Sequence, residues 1–141
     1  MLTDIRHIES IKEQANAHFK SGEYVKAVEA YTKALGFSSA PEETRRILLS
    51  NRAQCYILLG ELDAALNDTT LSLSDALTTP ESPKSITLKL HYRQAKIYFP
   101  AHQYDKASQA FKRFEWLKRG PLTAAEKKLK KDIAGASEGK S

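Results

Sequence analysis

The chain has 141 residues, 41% hydrophobic and 28% charged, with 22 Lys and Arg against 17 Asp and Glu for a net charge of +5. That is the size and balance of one globular domain with a real core; the mild positive charge favours acidic partners without demanding nucleic acid, because no basic stripe interleaved with aromatics appears. A single cysteine excludes an internal disulfide, the charged opening MLTDIRHIES is no signal peptide, and no apolar run reaches membrane-spanning length, so the chain reads as soluble and intracellular, with no membrane partner.

Five prolines, six glycines and scarce β-branched alternation predict an all-helical chain. The first element pair lies in IKEQANAHFKSGEYVKAVEAYTKAL, from Ile11: one helix stopped by Gly22, and a second opened by Tyr24. GFSSAPEETR follows (36–45), with Pro41, Glu42 and Glu43 as helix-start chemistry. LSNRAQCYILLGELDAALNDTTLSL repeats the plan from Leu49, with Gly60 as the stop and Leu62 as the opener. A second connecting stretch, SDALTTPESPKSIT (74–87), carries Ser82-Pro83 as another helix start. The third pair, HYRQAKIYFPAHQYDKASQAFKRFE from His91, puts His102 where the others have glycine, with Pro100 removing a hydrogen bond from the last helical turn. The bland account of both connecting stretches is helices one or two turns longer, joined by short loops. Finally, PLTAAEKKLKKDIAGA predicts a capping helix over 121–134, with Leu122, Ala125, Leu129 and Ile133 on its apolar face and the lysines opposite. GASEGKS (135–141) reads as a disordered tail.

The three pairs hold a common register. Ala15, Ala53 and Ala95 recur in the first helices, and Ala27, Ala65 and Ala107 in the second. The two series step in parallel, so the length variation falls between the pairs and each pair is a rigid hairpin. A small residue at both positions lets its two helices approach closely. This pattern resembles the tetratricopeptide repeat, a helix–turn–helix unit of about 34 residues. The resemblance covers residues 8 to 119, as repeats over about 8–41, 46–79 and 88–119 of a domain spanning 1–134. The family's Leu–Gly pair appears as Gln14-Ala15, Arg52-Ala53 and Gln94-Ala95. Its next aromatic is Tyr56 and Tyr98 but His18 in the first repeat, and its late aromatic is Tyr31 and Phe111 but Thr69 in the second. The resemblance implies an all-α fold of three hairpins in a right-handed superhelix, closed by the capping helix.

In such a stack the first helices line a concave groove. In register, Lys12 and Asn16 come from the first repeat, Asn51 from the second, and Lys89 and Arg93 from the third, with Phe19, Ile47, Gln54, Leu58 and Lys96 lining the groove around them. That set resembles the carboxylate clamp of co-chaperone tetratricopeptide domains, which bind the acidic C-terminal tails of the seventy- and ninety-kilodalton heat-shock chaperones, ending in Glu-Glu-Val-Asp. The resemblance implies that Lys12, Asn16 and Asn51 hold the two carboxylates of the terminal Asp, that Lys89 assists, and that Arg93 meets the peptide further back. Convergent donors without a competing acid suit such a ligand: charge-assisted bonds contribute about 1.5–3 kcal/mol each, and asparagine amides add direction. Each of these residue types fills about one position in ten or fewer, so five matches in register are not expected by chance. The same logic accounts for two cations stacked one turn apart in KLHYR, a pair that repels by about 0.2–0.5 kcal/mol on an isolated helix. His91 and Tyr92, between them, belong to hairpin packing.

Catalysis finds no support. His7, His18, His91 and His102 are scattered without metal-ligand spacing, and there is no Gly-rich phosphate loop, CxxC pair or nucleophile elbow. Cys55 stands where a buried small residue is wanted, and the sequon at Asn67-Asp68-Thr69 falls mid-helix. The chain therefore reads as a binding module, not an enzyme, with no cofactor or metal, monomeric and cytoplasmic. A nuclear location stays open through KKLKK, which fits a solvated helix face better. The alternative function is a repeat scaffold that takes an internal peptide or partner helix regardless of a free C-terminus. TKALGFSSAPEETRRILLSNRAQCYILL is also similar to the N-terminal tetratricopeptide domain of myosin chaperones.

Overall fold

The computed structural model describes residues 2–74 and 84–138, and among these all regular structure is α-helical. The chain divides into two compact units, Met1–Ser82 and Pro83–Ser141. The first holds α1 (Leu2–Lys20), α2 (Tyr24–Leu35), α3 (Glu42–Leu59) and α4 (Leu62–Ser72); the second holds α5 (Lys84–Tyr98), α6 (Tyr104–Lys118) and α7 (Ala124–Glu138). The second helices of the pairs open at Tyr24, Leu62 and Tyr104, the positions that the repeat register marks.

The three hairpins turn by one device. Gly22 and Gly60 sit at φ 77°, and His102, at the matching position of the third pair, sits at φ 62°. In each turn this residue's N–H donates to the carbonyl three residues back, and the next N–H reaches five back. The bonds are Gly22 to Phe19 (3.0 Å) with Glu23 to His18 (2.8 Å), Gly60 to Ile57 (3.1 Å) with Glu61 to Tyr56 (2.9 Å), and His102 to Phe99 (3.0 Å) with Gln103 to Tyr98 (3.0 Å). They satisfy the last carbonyls of each first helix. A side chain in the left-handed region costs about 1–2 kcal/mol, so the third hairpin is strained where the first two are relaxed. The His102 Nδ1 pairs with the Tyr104 hydroxyl at 2.7 Å, which offsets part of that cost. Pro100 tightens the end of α5, which stops at Tyr98 and gives way to a turn ahead of His102.

In the first unit, α1 packs on α2, α2 on α3, and α3 on α4. Ile8, Ile11, Tyr31, Leu48 and Cys55 share one buried core, and Ala15 and Ala27 are fully buried within it. Ala53, Ala65, Ala95 and Ala107 are equally inaccessible. Extra methylenes at such close helix contacts overpack, at about 1–3 kcal/mol.

In the second unit, α5 packs on α6 and α6 on α7. Tyr92 of α5 lies against Phe111 and Phe114 of α6, with ring centroids 6.3 and 4.8 Å apart. Ile133 of α7 is buried in the same core, with Leu122 and Leu129 packed beside it. Two expectations for the capping helix need correction. It starts at Ala124, not at 121, because Thr123 and Glu126 form a reciprocal capping box: the Glu126 N–H donates to Thr123 Oγ1 at 3.2 Å and the Thr123 N–H to Glu126 Oε1 at 2.8 Å. Leu122 therefore packs from the approach to the helix, and Ala125, expected on the apolar face, is exposed. The helix also runs on to Glu138, through residues expected as a disordered tail, and residues 139–141 lie outside the described residues. At the other end, α1 begins at Leu2, ahead of the expected repeat start near residue 8. Of the stretch 74–87, residues 75–83 lie outside the described residues.

Candidate functional site

The candidate clamp positions fall on the first helices of the three pairs, three in the first unit and two in the second. On α1, Lys12 and Asn16 stand one turn apart, both half-buried. Asn16 is held from below. Tyr31, nearly inaccessible within the α1–α2 core, donates its hydroxyl hydrogen bond to Asn16 Oδ1. That bond occupies the amide oxygen and leaves the Asn16 NH₂ group as the donating end, the end a carboxylate needs. Lys12 pairs with Glu9 at 2.9 Å across one helical turn. The pair is surface-exposed on the Glu9 side, where such contacts contribute about 0–1 kcal/mol, so it holds Lys12 only weakly.

Asn51, half-buried on α3, is flanked by a rigid anchor at Arg52. The Arg52 guanidinium donates from Nε and Nη2 to both carboxylate oxygens of Asp68, each at 2.7 Å, and from Nη1 to Thr32 Oγ1 at 3.0 Å. One side chain thus ties α3 to α4 and α2. Asp68 is fully buried, and its hydrogen bonding raises the Arg52 pKa against the opposing pull of burial. Arg46, one and a half turns earlier on α3, is buried as well. Its Nε donates to the Ser72 carbonyl at 3.2 Å, and Ser72 Oγ returns a bond of 3.2 Å to the Arg46 carbonyl.

The second unit concentrates charge. The α5 sequence KSITLKLHYRQAKIY holds no acidic residue, and Lys89, Arg93 and Lys96 follow at helical spacing along one face. Lys89 is exposed and has no ion-pair partner among the described residues, while Arg93 and Lys96 are half-buried. The Lys96 ammonium lies 5.0 Å from the centroid of the Tyr92 ring. Burial pulls its pKa below the usual lysine range and the neighbouring Arg93 charge adds to the shift. Three acids of this unit pair with other lysines: Glu126 with Lys118, Glu115 with Lys130 at 2.8 Å, and Asp132 with Lys128 at 2.9 Å. Burial pushes the Glu126 carboxyl up, but the bonds from Lys118 and Thr123 outweigh it and hold the group below the carboxylate range.

The positions expected to line the groove divide. Leu58 is exposed, at 46% relative accessibility, and Ile47 and Gln54 are half-buried on α3. Phe19 packs against Tyr24 with centroids 5.6 Å apart, so part of its surface serves the first hairpin. Sequence reading placed Tyr31 as a repeat aromatic and Asp68 within a sequon but missed what each holds, and it missed Glu9. Glu9 was detectable from its spacing to Lys12. Tyr31 and Asp68 act through pairings across the fold that no local pattern announces. Among the described residues, no group of His, Cys, Asp and Glu is arranged to hold a metal, and no helix is long and apolar enough to cross a membrane.

The fold has close counterparts among solved structures. The first TPR of Spaghetti (RPAP3) bound to the HSP90 peptide SRMEEVD superposes with a TM-score of 0.75 at 24% identity, covering 95% of this chain and 98% of that one. The Sgt2 TPR domain from Aspergillus fumigatus gives a TM-score of 0.73 at 26% identity, covering 94% and 80%. The chain is a tetratricopeptide-repeat domain. Among curated proteins, it is 37% identical over 119 residues to tetratricopeptide repeat protein 4 of Homo sapiens, covering 84% of this chain and 27% of that protein. It is 44% identical over 57 residues to heat shock protein STI1 of Saccharomyces cerevisiae, covering 40% and 9%. The domain thus spans about a quarter or less of the length of these relatives. No family model matches the chain.

Proposed function

We propose that this domain is a co-chaperone or adaptor module that binds the acidic C-terminal tail of the seventy- or ninety-kilodalton heat-shock chaperones through a carboxylate clamp. Lys12, Asn16 and Asn51 hold the terminal carboxylates with Lys89 assisting, and Arg93 meets the peptide further back. The observation that carries the reading is α5, an acid-free helix stacking Lys89, Arg93 and Lys96 on one face. Like charges one turn apart lower helix stability, and an anionic ligand reverses the sign of that term. The peptide bound by the Spaghetti (RPAP3) domain, SRMEEVD, is a ligand of this kind. The reading implies binding without turnover, by a monomer in the cytoplasm. Affinity is micromolar, as for a short exposed peptide, and falls with added salt.

Two variants test it. Lys12→Ala and Arg93→Glu each abolish binding of a Met-Glu-Glu-Val-Asp peptide in calorimetric titration while leaving the melting temperature within a few degrees of the parent. Undiminished binding in both variants would overturn the clamp.

A further inference from the structure

Trp116 is out of place on this surface. It is the single tryptophan of the chain and is 71% exposed, whereas the other exposed large hydrophobics are aliphatic: Ile5, Val25, Leu58 and Leu71, at 36–58%. Scattered aliphatic exposure needs no explanation, but an indole left in water is the residue type that anchors interfaces. It borders an open groove of about 440 Å³ between α5 and α6, lined by Thr87, His91, Lys112, Arg113, Trp116 and Leu117, a volume within the range of about 300–1,000 Å³ seen for ligand-sized clefts.

The rim is positive. Lys112 and Arg113 are exposed and have no ion-pair partner among the described residues, and the Arg119 guanidinium lies 5.7 Å from the Trp116 ring centroid. Thr87 and His91 add polar atoms to the wall, and the His91 Nδ1 is buried and finds no hydrogen-bond partner among the described residues. At 3.6 residues per turn, Thr87 and His91 lie on the opposite side of α5 from Lys89, Arg93 and Lys96, so this groove is not part of the candidate clamp.

We propose that the α5–α6 groove is a second docking surface, for an acidic segment of a partner polypeptide that presents a bulky apolar side chain to Trp116 and Leu117 and carboxylates to Lys112 and Arg113. Nucleic acid fits less well. A single-strand track needs cations spaced along a backbone and successive aromatic platforms. Here one aromatic is exposed, and Lys118 and Lys130, which do not line this groove, are taken by Glu126 and Glu115.

Trp116 reports on its own groove. The full chain is titrated with C-terminally amidated peptides alternating glutamate with leucine or phenylalanine. The amide keeps them from engaging a site for free carboxylates. The proposal expects a saturable blue shift of tryptophan emission, an affinity at least tenfold weaker in Lys112→Glu/Arg113→Glu, and no change in Arg93→Glu. Binding of a fluorescein-labelled peptide, followed by anisotropy, is likewise at least tenfold weaker in Trp116→Ala, and far-UV circular dichroism shows all variants folded. The proposal is overturned by unchanged emission, by equal binding of peptides with glutamine for glutamate, or by tighter binding of a single-stranded oligonucleotide. Loss in Arg93→Glu, or emission that depends on protein concentration alone, also overturns it. Failure here leaves the clamp intact, because, of the clamp's own variants, Lys12 lies on α1 and Arg93 on the other face of α5.

Discussion

The first helix of repeat 1 and the first helix of repeat 3 carry their polar residues in contrasting ways. On α1 each candidate ligand residue is already engaged: Tyr31 bonds Asn16 and Glu9 pairs with Lys12. On α5 the cations stand along a helix without a single acid, and Lys89 is exposed to solvent. The contrast separates two tasks of anion recognition. A donor turned by a buried partner, as the Asn16 amide is by Tyr31, gives direction because its geometry is set before a ligand arrives. The exposed Glu9 partner of Lys12, by contrast, gives way. Clustered charge gives attraction and a fast encounter, which salt weakens. Under the proposed function, a receptor for a doubly charged peptide end needs both, with direction assigned to α1 and charge to α5.

That contrast can be broken, most severely at Asp68. Replacing it with alanine leaves the half-buried Arg52 guanidinium without its bidentate partner and unties α3 from α4. The expected loss is about 3 kcal/mol of stability, measured by urea denaturation, whereas Lys89→Ala on α5 changes stability by less than about 0.5 kcal/mol. Equal effects would mean that the Asn51 helix is not anchored as described. A smaller change tests orientation without disturbing the fold. Tyr31→Phe removes only the hydroxyl that bonds Asn16, and costs about 1 kcal/mol of tail-peptide binding, read as a roughly fivefold weaker dissociation constant at unchanged salt dependence. A steeper salt dependence would assign Tyr31 to something other than amide orientation.

Much of this contrast was invisible in the sequence, while the frame that holds it was plain. Alanine pairs at Ala15/Ala27, Ala53/Ala65 and Ala95/Ala107 marked each hairpin because close helix approach tolerates only small side chains, and all six are fully buried. Gly22 and Gly60 marked the turns, since a left-handed residue is the common way to end a helix. His102 took the same conformation because the position, not the residue type, demands it. Cys55 was read as packing, and it is buried. The bonds that orient Asn16 and anchor Arg52 join residues 15 and 16 positions apart. They depend on rotamers and tertiary placement, which no periodicity encodes. The start of α7 was an error of a different kind. Thr123 and Glu126 spell a capping box in the sequence itself, and the apolar spacing that began at Leu122 drew the boundary too early.

The smallest effect sharpens the comparison from the other side. Glu9→Gln removes the carboxylate that competes for Lys12, and should tighten tail binding about twofold, in line with the modest worth of an exposed ion pair. Weaker binding in that variant would show that Glu9 holds Lys12 in place and does not compete with the ligand.

The central claim is that this domain reads a free, acidic C-terminus. The most direct test titrates the unmodified chain with Met-Glu-Glu-Val-Asp and with the same peptide ending in a carboxamide, at one salt concentration. The account predicts micromolar binding of the free acid and a loss of at least tenfold for the amide, about 1.4 kcal/mol or more. Equal affinity for the two peptides would contradict it, and would leave the groove as a scaffold for internal segments.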